Sequence, residues 1–339
     1  MSDRQVVLSG MRSTGQLHLG HYFGTLKNWV ALQEQHDCYF FAADWHALTS
    51  EYEDPSRVAS STLEALADWI AAGIDPERSV VFVQSMVPEH AELHLLLSMI
   101  TPLGWLERVP TYKEQMREIE ARDLSTYGFL GYPVLQTADI ILYRANLVPV
   151  GEDQASHLEI SREITRRFNS LYRPVFPEPR ALFTPTPRIP GLDGRKMSKS
   201  YGNAINLSDP PEVIREKCRS MFTDPTRIRR SDPGHPETCN LFAFHRLVSP
   251  PEVADRVERE CRAAAIGCVE DKKLLAEQLI AFLEPLQRRR AELLADRGQL
   301  LAILRRGSER ARERAGATMA AVREAVGLDY SRALEGMGS

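Results

Sequence analysis

With 339 residues the chain has room for two domains, and at 43% hydrophobic and 26% charged it reads as an ordinary globular protein. A net charge of −4 speaks against indiscriminate nucleic-acid binding but leaves room for a local basic surface. No apolar run reaches the roughly 18 residues that span a bilayer, and the opening MSDRQVVLSG lacks the basic-then-apolar pattern of a secretory signal. Five cysteines, an odd number in a large chain, argue against a disulfide framework and for a reducing, cytoplasmic compartment.

Taken in chain order, the first half alternates strand and helix. Residues 5–11 (QVVLSGM) predict a buried strand, and after the turn residues RSTGQ the segment LGHYFGTLKNWVALQEQ has helical spacing. CYFFAAD (38–44) predicts a second strand. Asp54 and Pro55 then open a helix that Gly73 ends. SVVFVQS (79–85) predicts a third strand, Pro88 opens the next helix, LVPVG (147–151) is a fourth strand and QASHLEISREITRRF a helix. Continuous apolar strands alternating with helices imply an α/β domain with a doubly wound parallel sheet. Residues 174–194 hold Pro174, Pro177, Pro179, Pro185, Pro187 and Pro190, which predicts a linker or long loop. From Pro211 onward the text is almost wholly helical, so a C-terminal all-helical domain is expected. Its last helix (309–326) is expected to pack back on the first domain. The plan is a Rossmann-like domain over 1–190, a mobile loop over 191–207 and a helical domain over 208–339.

Two motifs carry chemistry. TGQLHLGHYFG (14–24) follows the first strand and opens a helix, where open α/β sheets bind ligands. His18 and His21 lie on one face of an electropositive helix N-terminus suited to phosphate, and Gly20 lets a ligand approach the backbone. RKMSKSYGN (195–203) follows the Pro-rich segment, and its Lys196 and Lys199 could close over a polyphosphate as point charges. Taken alone, a capped helix and a solvated basic loop explain each motif as well. No Ser-His-Asp, Cys-His or paired-carboxylate pattern competes with them.

Together, HLGH and KMSKS resemble the signature pair of the class I aminoacyl-tRNA synthetases, the HIGH superfamily. The resemblance implies ATP with Mg²⁺ as the energy source. It gives His18 and His21 to the ATP phosphates, and Lys196, Met197, Ser198, Lys199 and Ser200 to a loop that stabilises the α-phosphate transition state. Such chemistry needs positioning and charge neutralisation more than a protein nucleophile. LGYPVLQTADIILYRANLVPVGEDQASHLEISREITRRFN (130–169) and ADWHAL (43–48) are similar to the tryptophanyl-tRNA synthetase family over nearly the whole chain. That likeness implies Asp139 as acceptor for the indole N–H, and Tyr132, Gln136, Gln154 and His46 in the amino-acid pocket. It implies Gly151, Glu152 and Asp153 near ATP, Arg12, Ser13 and Thr14 in an ATP-contacting turn, and Lys113 and Ile189 as further ATP contacts. Asp139 also follows from chemistry. Indole N–H only donates, so a pocket selecting tryptophan over phenylalanine needs a buried acceptor, and an unpaired carboxylate beside the apolar run in TADIILY would be costly.

Three readings stand beside this one. Tyr132, Gln136 and Asp139 also resemble the tyrosine-reading pattern of the sister tyrosyl family, whose phenol is likewise a donor. A synthetase-like RNA-binding protein without activity would not need both motifs intact. A small-molecule adenylyltransferase of the superfamily would usually lack the helical domain. The family further implies L-tryptophan, tRNA(Trp) and a second copy of the chain as partners, with no membrane and no DNA. Arg227, Arg229 and Arg230, QRRR at 287–290, and Arg305 with Arg306 are basic spots where tRNA phosphates could lie. Some relatives with similar sequence here carry a [4Fe–4S] cluster on four cysteines. In this chain Cys239, Cys261 and Cys268 keep closely similar spacing, but Asp271 stands at the fourth position. A cluster completed by Asp271, Cys218 or an external ligand, a Zn²⁺ on three cysteines and a carboxylate, and apolar packing without metal all remain open.

Overall fold

The computed structural model describes residues 4–109, 125–151, 155–183 and 189–330. Strands β1 (Val6–Met11), β2 (Asp37–Ala42), β3 (Val80–Val83), β4 (Leu147–Val150) and β5 (Arg180–Phe183) form one parallel sheet in the order β3-β2-β1-β4-β5. Parallel neighbours need long crossovers, and helices supply them. Residues alternate between the two faces. Val7, Phe40, Ala42, Val81 and Val83 enter one core, with Trp29, Leu66 and Trp69. Val6, Leu8, Phe41, Val80 and Phe82 enter the other, with Leu93, Ala138, Ile141 and Phe168. The strand order reverses between β1 and β4, which opens a crevice at their C-terminal ends.

One expectation is corrected here. Part of the Pro-rich stretch read as a linker is β5, paired in register with β4 from Leu147↔Arg180 to Val150↔Phe183. The strand is short, half-exposed and at the sheet edge. An edge strand tolerates flanking prolines because one of its sides needs no ladder, so composition hides it.

The first crossover runs as helix Leu19–His21, a π-helical stretch Tyr22–Leu26 and helix Lys27–Leu32. It is pinned by Trp29, stacked on Phe40 at 4.5 Å and edge-on to Trp69 at 5.0 Å. Beyond residue 208 come helices Pro211–Ser220, Asn240–Val248, Pro251–Arg262, Cys268–Ala295 and Arg297–Ala325. Helix Cys268–Ala295 lies against Val58–Ala71, and Leu275, Leu279, Leu283 and Leu286 extend the first core without a break. Arg290 on this helix reaches the nearly buried Asp68 at 2.7 Å and Glu64 at 3.0 Å. The final helix lies across β3, with Ala311, Ala315, Met319 and Val322 in the second core. At Gly307 it comes so close that an added Cβ would sit 1.8 Å from the Val81 carbonyl oxygen.

Candidate active site

The first motif builds its own geometry. His18 is the N-cap of helix Leu19–His21: its Nδ1 accepts from the Gly20 N–H at 3.1 Å, while His21 Nδ1 accepts from the His18 N–H at 3.1 Å. Both Nδ1 atoms accept, so in each neutral ring the proton sits on Nε2 and is available as a donor. Burial, with Lys199 second, brings His18 down to about 4; burial, His18 and Lys199 bring His21 down to about 3. Both rings are therefore neutral donors at physiological pH rather than cations. Gly20 is required by its neighbour: a Cβ there would lie 2.8 Å from His18 Cε1.

The second motif reaches the first through backbone pairing. Pro190 bridges to Lys196 and Met197 N–H donates to Ile189 O at 3.0 Å, which closes a short hairpin. The strand leaving it pairs with the first motif, Leu19 N–H to Ile205 O at 3.0 Å and Leu207 N–H to Leu17 O at 2.8 Å. Met197 and Ile189 are buried, and Lys196 is exposed. Lys199 Nζ donates to Thr14 O at 2.7 Å and Gly15 O at 3.2 Å. Lys199 is exposed as a residue, but its ammonium sits against these two carbonyls, and desolvation brings its pKa down to about 8, with Asp68 opposing. Asn203 holds the hairpin: Oδ1 accepts from Ser198 N–H at 2.9 Å, and Nδ2 donates to Asp193 at 2.7 Å and to Lys196 O at 3.2 Å.

Beside this junction lies a cavity of about 400 Å³ at the sheet's switch point. Gly10 and Arg12 from the end of β1, Asn28 and Trp29 from the first crossover, and Gly151 after β4 line it. His46 lines it from helix Asp44–Glu51, and Tyr132, Gln136 and Asp139 line it from one face of helix Tyr132–Leu142. Arg12 also hydrogen-bonds Ser50, and Ser13 is buried.

Asp139 in the cavity wall is only 1% exposed. Its Oδ2 lies 2.8 Å from His46 Nε2, and its Oδ1 accepts from Gln84 Nε2 at 2.7 Å and His90 Nδ1 at 2.7 Å. Burial pushes its carboxyl up, but the hydrogen bonds from His46 and His90 outweigh burial and hold it well below the usual carboxylate range. It is a buried, ionised acceptor held by three polar side chains.

The structure thus brings together His18, Gly20, His21, Thr14, Met197, Ser198 and Lys199 at one junction, with Arg12, His46, Tyr132, Gln136, Asp139 and Gly151 in the adjoining cavity. Lys113, Glu152, Asp153, Gln154 and the side chain of Ser200 lie outside the described residues. Sequence reasoning missed Gln84, His90, Tyr143, Asp193 and Asn203. A motif-adjacent asparagine was the one available signal, in the SYGN that follows the lysines.

At the cysteines the sequence left a cluster, a zinc ion and metal-free packing open. Asp271 turns its carboxylate to the buried His245, whose Nε2 is 3.0 Å away, and His245 Nδ1 lies 2.7 Å from Ser249 Oγ. Burial pushes the Cys239 and Cys261 thiols up, and the Arg227 guanidinium sits 3.9 Å from Cys261 Sγ. Cys268 is half-buried, and burial pushes the Cys218 thiol on helix Pro211–Ser220 up to about 12. Among the described residues no group of three or more His, Cys, Asp or Glu is arranged to hold a metal ion. The described donor set thus gives no support to the iron–sulfur cluster or the zinc ion.

Residues 2–284 match the family model of class I tRNA synthetases (W and Y). A tryptophan–tRNA ligase of Thermotoga maritima is 51% identical over 96% of this chain and 99% of its own length. One from Aquifex aeolicus is 46% identical, with 95% and 99% covered. The tryptophanyl-tRNA synthetase of Campylobacter jejuni, solved with ADP and tryptophan, superposes with a TM-score of 0.89 at 34% identity, covering 95% of this chain and all of that one. A tyrosyl-tRNA synthetase of Archaeoglobus fulgidus shares the fold at a TM-score of 0.64 and 23% identity.

Proposed function

The chain belongs to the class I tRNA synthetase family of tryptophan and tyrosine enzymes and works as a tryptophan–tRNA ligase, and we propose how its residues divide that work. The tryptophan carboxylate attacks the α-phosphate of ATP, pyrophosphate leaves with Mg²⁺, and the adenylate then passes its acyl group to a terminal ribose hydroxyl of tRNA(Trp), releasing AMP. Mg²⁺ enters as part of the ATP substrate. His18 and His21 donate Nε2–H to phosphate oxygens as neutral groups. Lys199 moves from the Thr14 and Gly15 carbonyls to the developing charge, with Lys196 beside it. Such preorganised donors act where charge appears in the transition state. Arg12, Ser13, Thr14 and Gly151 border the nucleotide, and Ile189, under Met197, backs its base. Tryptophan fills the cavity, its indole N–H directed to Asp139, with His46, Tyr132 and Gln136 around the ring.

The observation that carries this reading is the pairing of Leu17–Leu19 with Ile205–Leu207, which brings both signature motifs to one junction, together with a cavity at the sheet's switch point that holds the buried Asp139 carboxylate. Residues 1–190 form the catalytic unit in this reading, 191–207 the lysine loop, and 208–339 the helical unit that meets tRNA. Arg229 and Arg230, on an exposed loop beside Ile228 (87% exposed), are the better phosphate contacts. Arg227 and Arg290 are engaged internally with Ile266 O and Asp68. The enzyme is a homodimer through an apolar face on which Leu95, Met99 and Leu103 are 56%, 69% and 61% exposed. It operates in the cytoplasm. Pyrophosphate exchange with each amino acid in turn tests the substrate: exchange with tryptophan and not tyrosine is expected, and the reverse would overturn the assignment.

A further inference from the structure

Asp139 is held asymmetrically. His46, the donor to Oδ2, lines the cavity. The two donors to Oδ1, Gln84 and His90, are both fully buried behind it. Each is itself oriented by a further bond. Gln84 Oε1 accepts from the His46 N–H at 3.4 Å, which turns the amide nitrogen toward Asp139. His90 Nε2 lies 2.8 Å from the Tyr143 hydroxyl, and Tyr143 is also fully buried. Burial, with Asp139 and Glu89 nearby, pushes the Tyr143 hydroxyl well up, so it keeps its proton and donates. His90 Nε2 is then the acceptor and His90 Nδ1 carries the hydrogen that Asp139 receives. Three separate segments, helix Asp44–Glu51, the end of β3 and helix Glu89–Ser98, bring donors to this one carboxylate, which helix Tyr132–Leu142 carries.

We propose that Gln84 and His90, the latter backed by Tyr143, are positioning residues that fix Oδ1 of Asp139 from behind, so that Oδ2 is the oxygen presented to the substrate N–H. The inference rests on Asp139 being the indole acceptor. Without the rear donors the carboxylate is free to rotate or to take up a proton. Its power to distinguish an N–H donor from an isostere would fall, whereas shape selection by the cavity would stay.

The test compares tryptophan with 3-(benzothiophen-3-yl)alanine, which replaces N–H by sulfur at nearly constant shape, through kcat/KM in pyrophosphate exchange. His90→Phe is expected to lower the tryptophan-to-analogue ratio about tenfold with the analogue's own kcat/KM within about twofold, the size of one lost hydrogen bond to a charged group. His90→Asn, whose amide nitrogen can take the place of Nδ1, restores the ratio. Gln84→Met, which removes a donor at constant length, lowers it as well and serves if His90→Phe does not fold. Parallel losses for both substrates, or an unchanged ratio in both Gln84→Met and His90→Phe, would overturn the proposal. Asp139→Ala, which removes both acceptor oxygens, separates the two layers. If it leaves the ratio at the wild-type value, Asp139 is not the acceptor; if it collapses the ratio where the other two do not, only the positioning role fails.

Discussion

Lys199 shows how a single residue can set a pH limit. Its ammonium, desolvated and brought down to about 8, is the charged form that attracts phosphate. The fraction carrying that charge falls as pH rises through this value, so kcat/KM for ATP, which reports the free enzyme, should decline above about pH 8. Lys199→Arg, charged throughout this range, should move that limb upward, and a limb unmoved by the substitution would assign the ionisation elsewhere. His18 and His21, at about 4 and 3, contribute no ionisation near neutrality. At this scale the sequence was informative about identity and silent about state. HLGH and KMSKS could be read from residue types, but the tautomers follow from the two Nδ1 caps, which only backbone coordinates reveal. The Asp139 anion was legible because a donor-only substrate demands an acceptor. Its rear partners were not: His90 in VPEHAELH looks like any histidine on an apolar helix, and Gln84 like a strand end.

Among elements, the lysine hairpin depends on Asn203, which is nearly buried and bonds Asp193 and the Ser198 and Lys196 backbones. Asn203→Ala should loosen the loop and lower kcat for activation about tenfold with little change in tryptophan affinity, since it leaves a backbone N–H without its acceptor. A fall in tryptophan affinity with unchanged kcat would contradict that role. The final helix offers a sharper contrast. Gly316 has nothing near a would-be Cβ, so Gly316→Ala should raise stability by roughly 0.5–1 kcal/mol. Gly307→Ala should lower it despite the same gain in helix propensity, because the Cβ meets the Val81 carbonyl. Thermal melts of the two variants give opposite signs if the helix seats on β3 as described. The first four strands were legible from their continuous apolar text. β5 was hidden by prolines, and the Asp271–His245 pair by sequence distance, which is why the sequence left the metal question open.

For the whole molecule, the α/β and helical parts are joined by one apolar core and by the nearly buried Arg290–Asp68 contact. Removing one partner leaves a buried charge, so Arg290→Ala should cost about 3 kcal/mol in urea unfolding, and Arg290→Met with Asp68→Leu should recover most of it. Equal stability for wild type and Arg290→Ala would contradict the clamp. The same closure brings Lys199 to Thr14 and Gly15, 185 and 184 positions away in the chain, and the account stands on that meeting. The most direct measurement is single-turnover tryptophanyl-adenylate formation for wild type and Lys199→Ala, with tryptophan affinity measured in parallel by equilibrium binding. The account predicts a rate lower by about 100-fold, the scale of one lost transition-state donor, with tryptophan affinity unchanged. An unaltered rate, or a rate loss matched by lost tryptophan affinity, would contradict it.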